Sequence, residues 1–113
     1  MLPKKYRLPA KEFQLLYKNG FRARGKYGML ISKQGTSQNP LFGFVVSKKI
    51  GNAVKRHRMT RLLRAISMEI IKELKIETKG VLFEYIAFEF CDNYASLKEE
   101  LLNQTRRCLE EGE

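Results

Sequence analysis

Five basic side chains, Lys55, Arg56, Arg58, Arg61 and Arg64, fall within a window of ten residues. Arginine predominates, and its planar guanidinium fork donates hydrogen bonds in pairs to phosphate oxygens. Wound as a helix from about Ala53 to Leu74, the segment divides into two faces. Met59, Leu62, Leu63, Ile66 and Ile70 form an apolar stripe, and Arg56, His57, Arg58, Arg61 and Arg64 fill the remaining arc. A solvated helix face normally mixes charge signs. This one carries a single sign, a repulsive arrangement that a polyanionic partner relieves. Lys48 and Lys49 precede the helix. Asn52 suits its N-cap, and the first amides of the helix offer a further place for a phosphate.

A second group is aromatic. Phe13 and Tyr17 lie one helical turn apart among Lys11, Lys18, Arg22 and Arg24. Packing on a sheet is their ordinary use. A stacking platform for unpaired bases is the more specific one, and both hold if the rings line a groove between helix and sheet. Catalytic groupings are scarce. The first 64 residues hold one carboxylate, Glu12, too few to ligate the metal of a nuclease site. The acids of the second half sit mostly on helix faces and read as solvated. His57, the single histidine, has no carboxylate near it to orient it as a general base, and reads as a hydrogen-bonding surface imidazole. The spacing of Cys91 and Cys108 matches no zinc or redox motif, so both read as reduced core or interface thiols. No catalytic side chain is expected.

The elements that must position these groups follow from composition and pattern. A chain of 113 residues with 43% apolar content is expected to form one domain, residues 1–113, with its own core. Lys and Arg number 22 against 12 Asp and Glu, a net charge of +10. The excess is uneven: +15 over residues 1–64 and −5 over residues 65–113. No apolar run approaches the ~20 residues of a membrane span, and the basic N-terminus has no apolar stretch of a secretory signal behind it. The chain reads as cytoplasmic and soluble.

Pro9 and Gly20 bracket a short helix with Phe13, Leu16 and Tyr17 on one face. Phe21 to Ser32 is strand-like but interrupted by Gly25 and Gly28, and a loop from Gln34 to Pro40 leads to a strand at Leu41–Ser47. The simplest pairing of these two strands is an antiparallel hairpin. After the cationic helix comes a strand over Val81–Phe90. Ser96-Leu-Lys-Glu99 then reads as a capping box opening a last helix, with Leu97, Leu101, Thr105 and Cys108 facing inward. Acidic residues near the start of that helix and Arg106-Arg107 near its end suit its dipole. The outcome is an α+β sandwich of one sheet and about three helices.

The stretch FGFVVSKKIGNAVKRHRMTRLLRAI, Phe42 to Ile66, resembles the protein subunit of bacterial ribonuclease P, a family marked by a strand ending in VSKK, then GNAV, then an Arg-Asn-Arg-rich helix. Leu2 to Leu8, Glu12-Phe13 and Tyr17 to Gly20 resemble the family's N-terminal block, so the likeness covers roughly two-thirds of the chain. It implies a single ribosomal-protein-like domain of order α-β-β-β-α-β-α with a left-handed βαβ crossover, an exception to the usual hand. It also implies a subunit of an endoribonuclease that removes the 5′ leader of precursor tRNA, with catalysis in the RNA subunit and Mg2+ as the ion of the holoenzyme. The implied partners are ribonuclease P RNA and precursor tRNA, with neither DNA nor membrane. Carried over, Lys48, Lys49, Asn52, Lys55, Arg56, His57, Arg58, Arg61 and Arg64 would bind the catalytic RNA. Phe13, Tyr17, Ser47 and Lys49 would line the leader cleft. Three positions depart from the family pattern: His57 replaces the usual asparagine, Thr60 a commonly basic residue, and Phe90 a basic residue near the end of the last strand.

Other readings of the same residues remain. A ribosomal or assembly protein could use the cationic helix on a different RNA. Reading a DNA major groove needs base-specific polar groups, for which only Asn52 and His57 qualify. A membrane-surface helix fits less well, because the apolar face has the length and pattern of a core face.

Overall fold

In the computed structural model, which describes residues 2–111, the glycine-interrupted stretch after the first helix is two strands. The first, β1 (Phe21–Arg24), turns into β2 (Gly28–Gln34), and they pair antiparallel with Phe21 opposite Ser32 and Arg24 opposite Met29. Before them lies α1 (Ala10–Asn19). After them come β3 (Leu41–Val45), α2 (Ala53–Glu73), β4 (Val81–Ala87) and α3 (Tyr94–Glu111). The expected α-β-β-β-α-β-α order is present.

The expected hairpin between the second and third strands is not. The sheet order is β1-β2-β4-β3, with β4 antiparallel to β2 and parallel to β3. Leu30 faces Tyr85 across one ladder and Phe42 faces Phe83 across the other. The physical reason lies in β4 itself. Leu82, Phe83, Glu84, Tyr85 and Ala87 are all buried, and a strand covered on both faces is placed inside a sheet. Parallel strands cannot be joined by a tight turn, so the β3-to-β4 connection needs a crossover, which α2 supplies. The last strand also ends at Ala87 and not at Phe90.

Side chains alternate across the strands. Ala23, Leu30, Phe42, Phe83 and Tyr85 belong to the main core with Met59, Leu63, Ile66 and Ile70 of α2 and Leu97, Leu101 and Cys108 of α3. Phe42 stacks on Phe83 with centroids 4.6 Å apart. On the other face Leu16 of α1 packs with Met29, Ile31 and Leu82, and Phe13 and Ile86 close the edge of that cluster. The sheet therefore separates α1 from α2 and α3.

The last helix starts earlier than the capping-box pattern suggests. Asn93 is its cap: the Asn93 Oδ1 accepts from the Ser96 amide at 2.9 Å, and Ser96 lies inside the helix. With that start, the first turn has no acid and the last no base, so the expected match to the dipole is lost. Its acids and bases have other uses. Lys98 donates to Glu69 at 2.9 Å and Glu73 at 2.8 Å, and the Tyr94 hydroxyl donates to Glu69, tying α3 to α2. These contacts hold the Glu69 carboxyl below its ordinary range and the Lys98 ammonium above its own. Glu100 accepts from the amides of Lys26 and Tyr27 at 2.6 and 2.9 Å, which fastens the β1–β2 turn to α3.

Between β3 and α2 the chain makes a 3-10 turn, Lys48–Ile50, and then passes through Gly51 at φ 151°, ψ −164°. Only glycine adopts that conformation freely, and a Cβ there would lie 2.9 Å from Lys55 Cδ. Asn52 then caps α2, its Oδ1 accepting from the Lys55 amide at 3.0 Å. Replacing Gly51 by Ala is expected to cost about 1–3 kcal/mol, measured as a lower urea midpoint with an unchanged slope. An unshifted midpoint would show that the turn bears no strain.

Candidate nucleic-acid interface

Four buried residues, Met59, Leu63, Ile66 and Ile70, hold the inner stripe of α2 against the core, and Leu62 lies half-buried beside them. The opposite arc is thereby turned outward. His57, Arg58 and Arg61 are exposed, and Arg56 and Arg64 are half-buried. His57, Arg58, Arg61 and Arg64 border a groove of about 800 Å³ whose apolar floor includes Val54, 65% exposed, with Leu62 and Ala65. Among the described residues, Asp92 is the one carboxylate in salt-bridge reach of this arc, 3.5 Å from Arg58. Both side chains are about half exposed, so water screens the pair and it neutralises little. Arg56 Nε is buried without a partner. Thr60 bends back on the helix, its hydroxyl donating to the Arg56 carbonyl at 2.8 Å.

The flanking residues divide. Ser47, Lys48 and Lys49 are exposed on the 3-10 turn after β3. The Lys55 ammonium stands 5.4 Å from the centroid of the Phe90 ring, a cation held over an aromatic face. The Asn52 carbonyl oxygen is spent on the helix cap. What that position offers an anion is the exposed helix start.

On the other layer the two aromatics differ in burial. Phe13 is half-buried, and its ring lies over Gly43: a Cβ at Gly43 would be 2.2 Å from Phe13 Cζ. Here glycine is required by close approach and not by φ. Tyr17 is 49% exposed and stands clear of the sheet. The Arg22 guanidinium lies 4.5 Å from its ring centroid and donates to the Tyr17 carbonyl. Arg24 covers Phe88 at 4.8 Å. These arginine–aromatic pairs along β1 escaped the sequence reading, although the alternation of Arg22 and Arg24 about buried Ala23 is a visible signal. The arginine arc and the aromatic face belong to opposite layers, connected through β3 and the Ser47–Gly51 turn.

Glu84 corrects the reading of the second-half acids as solvated. It is 4% exposed, and its Oε1 is buried without a hydrogen-bond partner. Strand register places Arg22, Ile31, Glu84 and Gly43 in one row on the α1 side of the sheet. Burial raises the carboxyl's pKa above the ordinary 4.5, and the positive charge of Arg22 works in the opposite direction. The period-two pattern of VLFEYIA, with Glu84 between Leu82 and Ile86, is the signal that could have found it.

Among the described residues, no three His, Cys, Asp or Glu side chains gather as ligands of a metal would. No described helix is long and apolar enough to cross a membrane.

The family model described as Ribonuclease P matches residues 2–109. The chain is 37% identical over 76 residues to the ribonuclease P protein component of Syntrophomonas wolfei, a match covering 66% of this chain and 64% of that one. It is 31% identical over 114 residues to the ribonuclease P protein component of Streptococcus equi subsp. zooepidemicus, covering 98% and 94%. Against the first curated relatives, the match spans only 54–64% of their length. The RNase P protein of Thermotoga maritima, solved with 1-(4-fluorophenyl)-2-thiourea, superposes with a TM-score of 0.75 over 89% of this chain and 98% of that one. At 24% identity it establishes a common fold.

The raised pKa of Glu84 has a consequence for stability. The folded chain binds its proton more tightly than the unfolded chain, so the contribution to stability is full below pH 4.5 and is lost as pH rises through the folded value. Denaturant unfolding of the protein and of Glu84→Gln should converge toward acid pH, with the variant gaining on the parent as pH rises from 4.5. A difference independent of pH would mean that Glu84 titrates normally.

Proposed function

The chain belongs to the ribonuclease P protein family, and on that premise we propose that it is the protein subunit of a ribonuclease P, binding its RNA through the outer face of α2. The reading continues to the substrate: the α1 side of the sheet receives the 5′ leader of precursor tRNA, whose endonucleolytic removal leaves the mature tRNA 5′ end. The observation that carries it is an arginine face of one sign, with one weak carboxylate contact, fixed on a helix whose other face is core. Such a face neutralises a folded phosphate backbone, to which arginine forks bind in pairs. Lys48, Lys49, Lys55 and the capped start of α2 extend the same field. His57 supplies a ring nitrogen where the family pattern has an amide.

The protein's part in the reaction is to bind and orient. Phosphodiester cleavage is assigned to the RNA subunit, which with substrate phosphates would hold the Mg2+ ions. Raising the local positive potential around RNA and leader lowers the repulsion of bringing two polyanions together. Half-buried Phe13 offers a ring face to one leader base, exposed Tyr17 a second, and Ser47 and Lys49 lie at the end of the same β3 strand. The protein is placed in the cytoplasm, as a single domain.

Two measurements test this. Arg61→Ala should weaken binding to ribonuclease P RNA and reduce the salt slope of log Kd by about one; wild-type affinity and slope would remove α2 from the interface. In the reconstituted holoenzyme, Phe13→Ala should cost ~1–3 kcal/mol for a precursor with a leader and leave mature tRNA binding nearly unchanged. Equal losses on both RNAs would exclude the leader face.

A further inference from the structure

The α1 side of the sheet carries one polar group that stacking and phosphate contacts leave unused. Glu84 sits at the centre of the row Arg22, Ile31, Glu84, Gly43, with the Phe13 ring over Gly43 at one end and the Arg22 guanidinium at the other. The neighbouring row is Arg24, Met29, Ile86 and Val45. Within it Ile86 and Val45 stay half-exposed, which leaves an apolar floor open beside the carboxyl. Glu84 is 4% exposed and Oε1 lacks a partner, while Arg22 is turned to the Tyr17 ring and carbonyl and to the Met29 sulfur. A buried acceptor without a donor costs free energy that any ligand bringing the donor recovers.

The chemistry of that donor is restricted. Because Oε1 is closed to solvent, the contact needs the Glu84 side chain to turn toward the half-exposed floor; an unpaired base lying on Ile86 against Phe13 would then direct its Watson–Crick edge at the carboxylate and its phosphate toward Arg22. Unstacked RNA bases are read in this way, by stacking on an aromatic and hydrogen bonding along that edge. A carboxylate only accepts, through two oxygens side by side. Guanine presents two adjacent donors, N1–H and the N2 amino group, and satisfies both oxygens. Uracil presents a single N3–H between two carbonyl oxygens, which the carboxylate repels.

Resting on the assignment of this face to the leader, we propose that Glu84 is a specificity-determining residue that accepts the N1–H and N2 amino donors of a leader guanine and disfavours uracil at that position.

The test uses holoenzyme reconstituted with ribonuclease P RNA and precursor tRNAs whose leaders carry G or U at each position in turn. The wild-type protein should cleave the G substrate with kcat/KM about tenfold above the U substrate at one leader position, the size of one good paired base contact. Glu84→Leu should bring that ratio to about one. Glu84→Gln keeps the shape of the side chain, guards against a folding defect in the Leu variant, and should also bring the ratio to about one, because its amide can donate to a uracil carbonyl or to guanine O6 while its oxygen accepts the imino proton. No G-over-U preference at any position, or the same preference in Glu84→Leu, overturns the proposal. Phe13→Ala separates the two levels. Should the G-over-U test fail while Phe13→Ala still weakens only leader-bearing substrates, the leader face stands and the base contact alone is wrong; if Phe13→Ala has no leader-specific effect, both fall.

Discussion

Strand β4 is hydrogen-bonded along both edges, antiparallel to β2 and parallel to β3, and both layers of the molecule depend on that double ladder. Its alternate residues serve different layers. Phe83 and Tyr85 enter the core that α2 and α3 cover, and Leu82, Glu84 and Ile86 face the α1 side. Without β4 the β1–β2 hairpin and the β3–α2 unit would share no sheet. The parallel half of the ladder also dictates where α2 runs, because a parallel partner is reached only by a long return across one face. The cationic helix is thus the connection that the sheet topology demands, and its place on the surface follows from the pairing of two strands.

Holding so many like charges on one helix has a cost that the core outweighs. Like-charge pairs at helical spacing cost a few tenths of a kcal/mol each, whereas fully burying an aliphatic or methionine side chain contributes about 1.5–3 kcal/mol. Met59, Leu63, Ile66 and Ile70 are each 0% exposed. Their burial keeps the arginine arc in place before any polyanion arrives, so binding need not also order the helix. The Lys98 bridge to Glu69 and Glu73 lies in the second half of α2, beyond the arginines, and among the described residues Asp92 is the one acid within salt-bridge reach of the cationic half.

The α1 side is built differently. Phe13 approaches the sheet only because Gly43 has no side chain, while Tyr17 is held off it by Arg22. Between them a buried carboxyl breaks the rule that interior polar groups are paired. Departures of that kind, where each neighbouring choice is otherwise consistent with the fold, concentrate where a protein meets a ligand. The two layers therefore differ in kind: one presents a rigid array of positive charges, and the other an apolar floor with aromatic and polar edges.

Much of this was legible in the chain itself. The period of the apolar residues, Asn52 as cap and the single sign of the arc located α2 almost to the residue, because helix formation and capping depend on neighbours within four positions. Gly25 and Gly28 marked the break that the β1–β2 turn uses, and the inward stripe of α3 is buried as its spacing implied. Where two local signals competed, only the structure chose: Asn93 and Ser96 are both good caps, and the point where the chain leaves β4 selects Asn93. The strand order was out of reach for a related reason. Strand pairing joins residues far apart in sequence, and the entropy of closing a loop grows so slowly with its length that nearness along the chain is a weak guide to partners. Composition and periodicity determined the helices and the charge. The insertion of β4, and with it the burial of Glu84 and the separation of the arginine arc from the α1 side, was decided by which strands could pair along both of its edges.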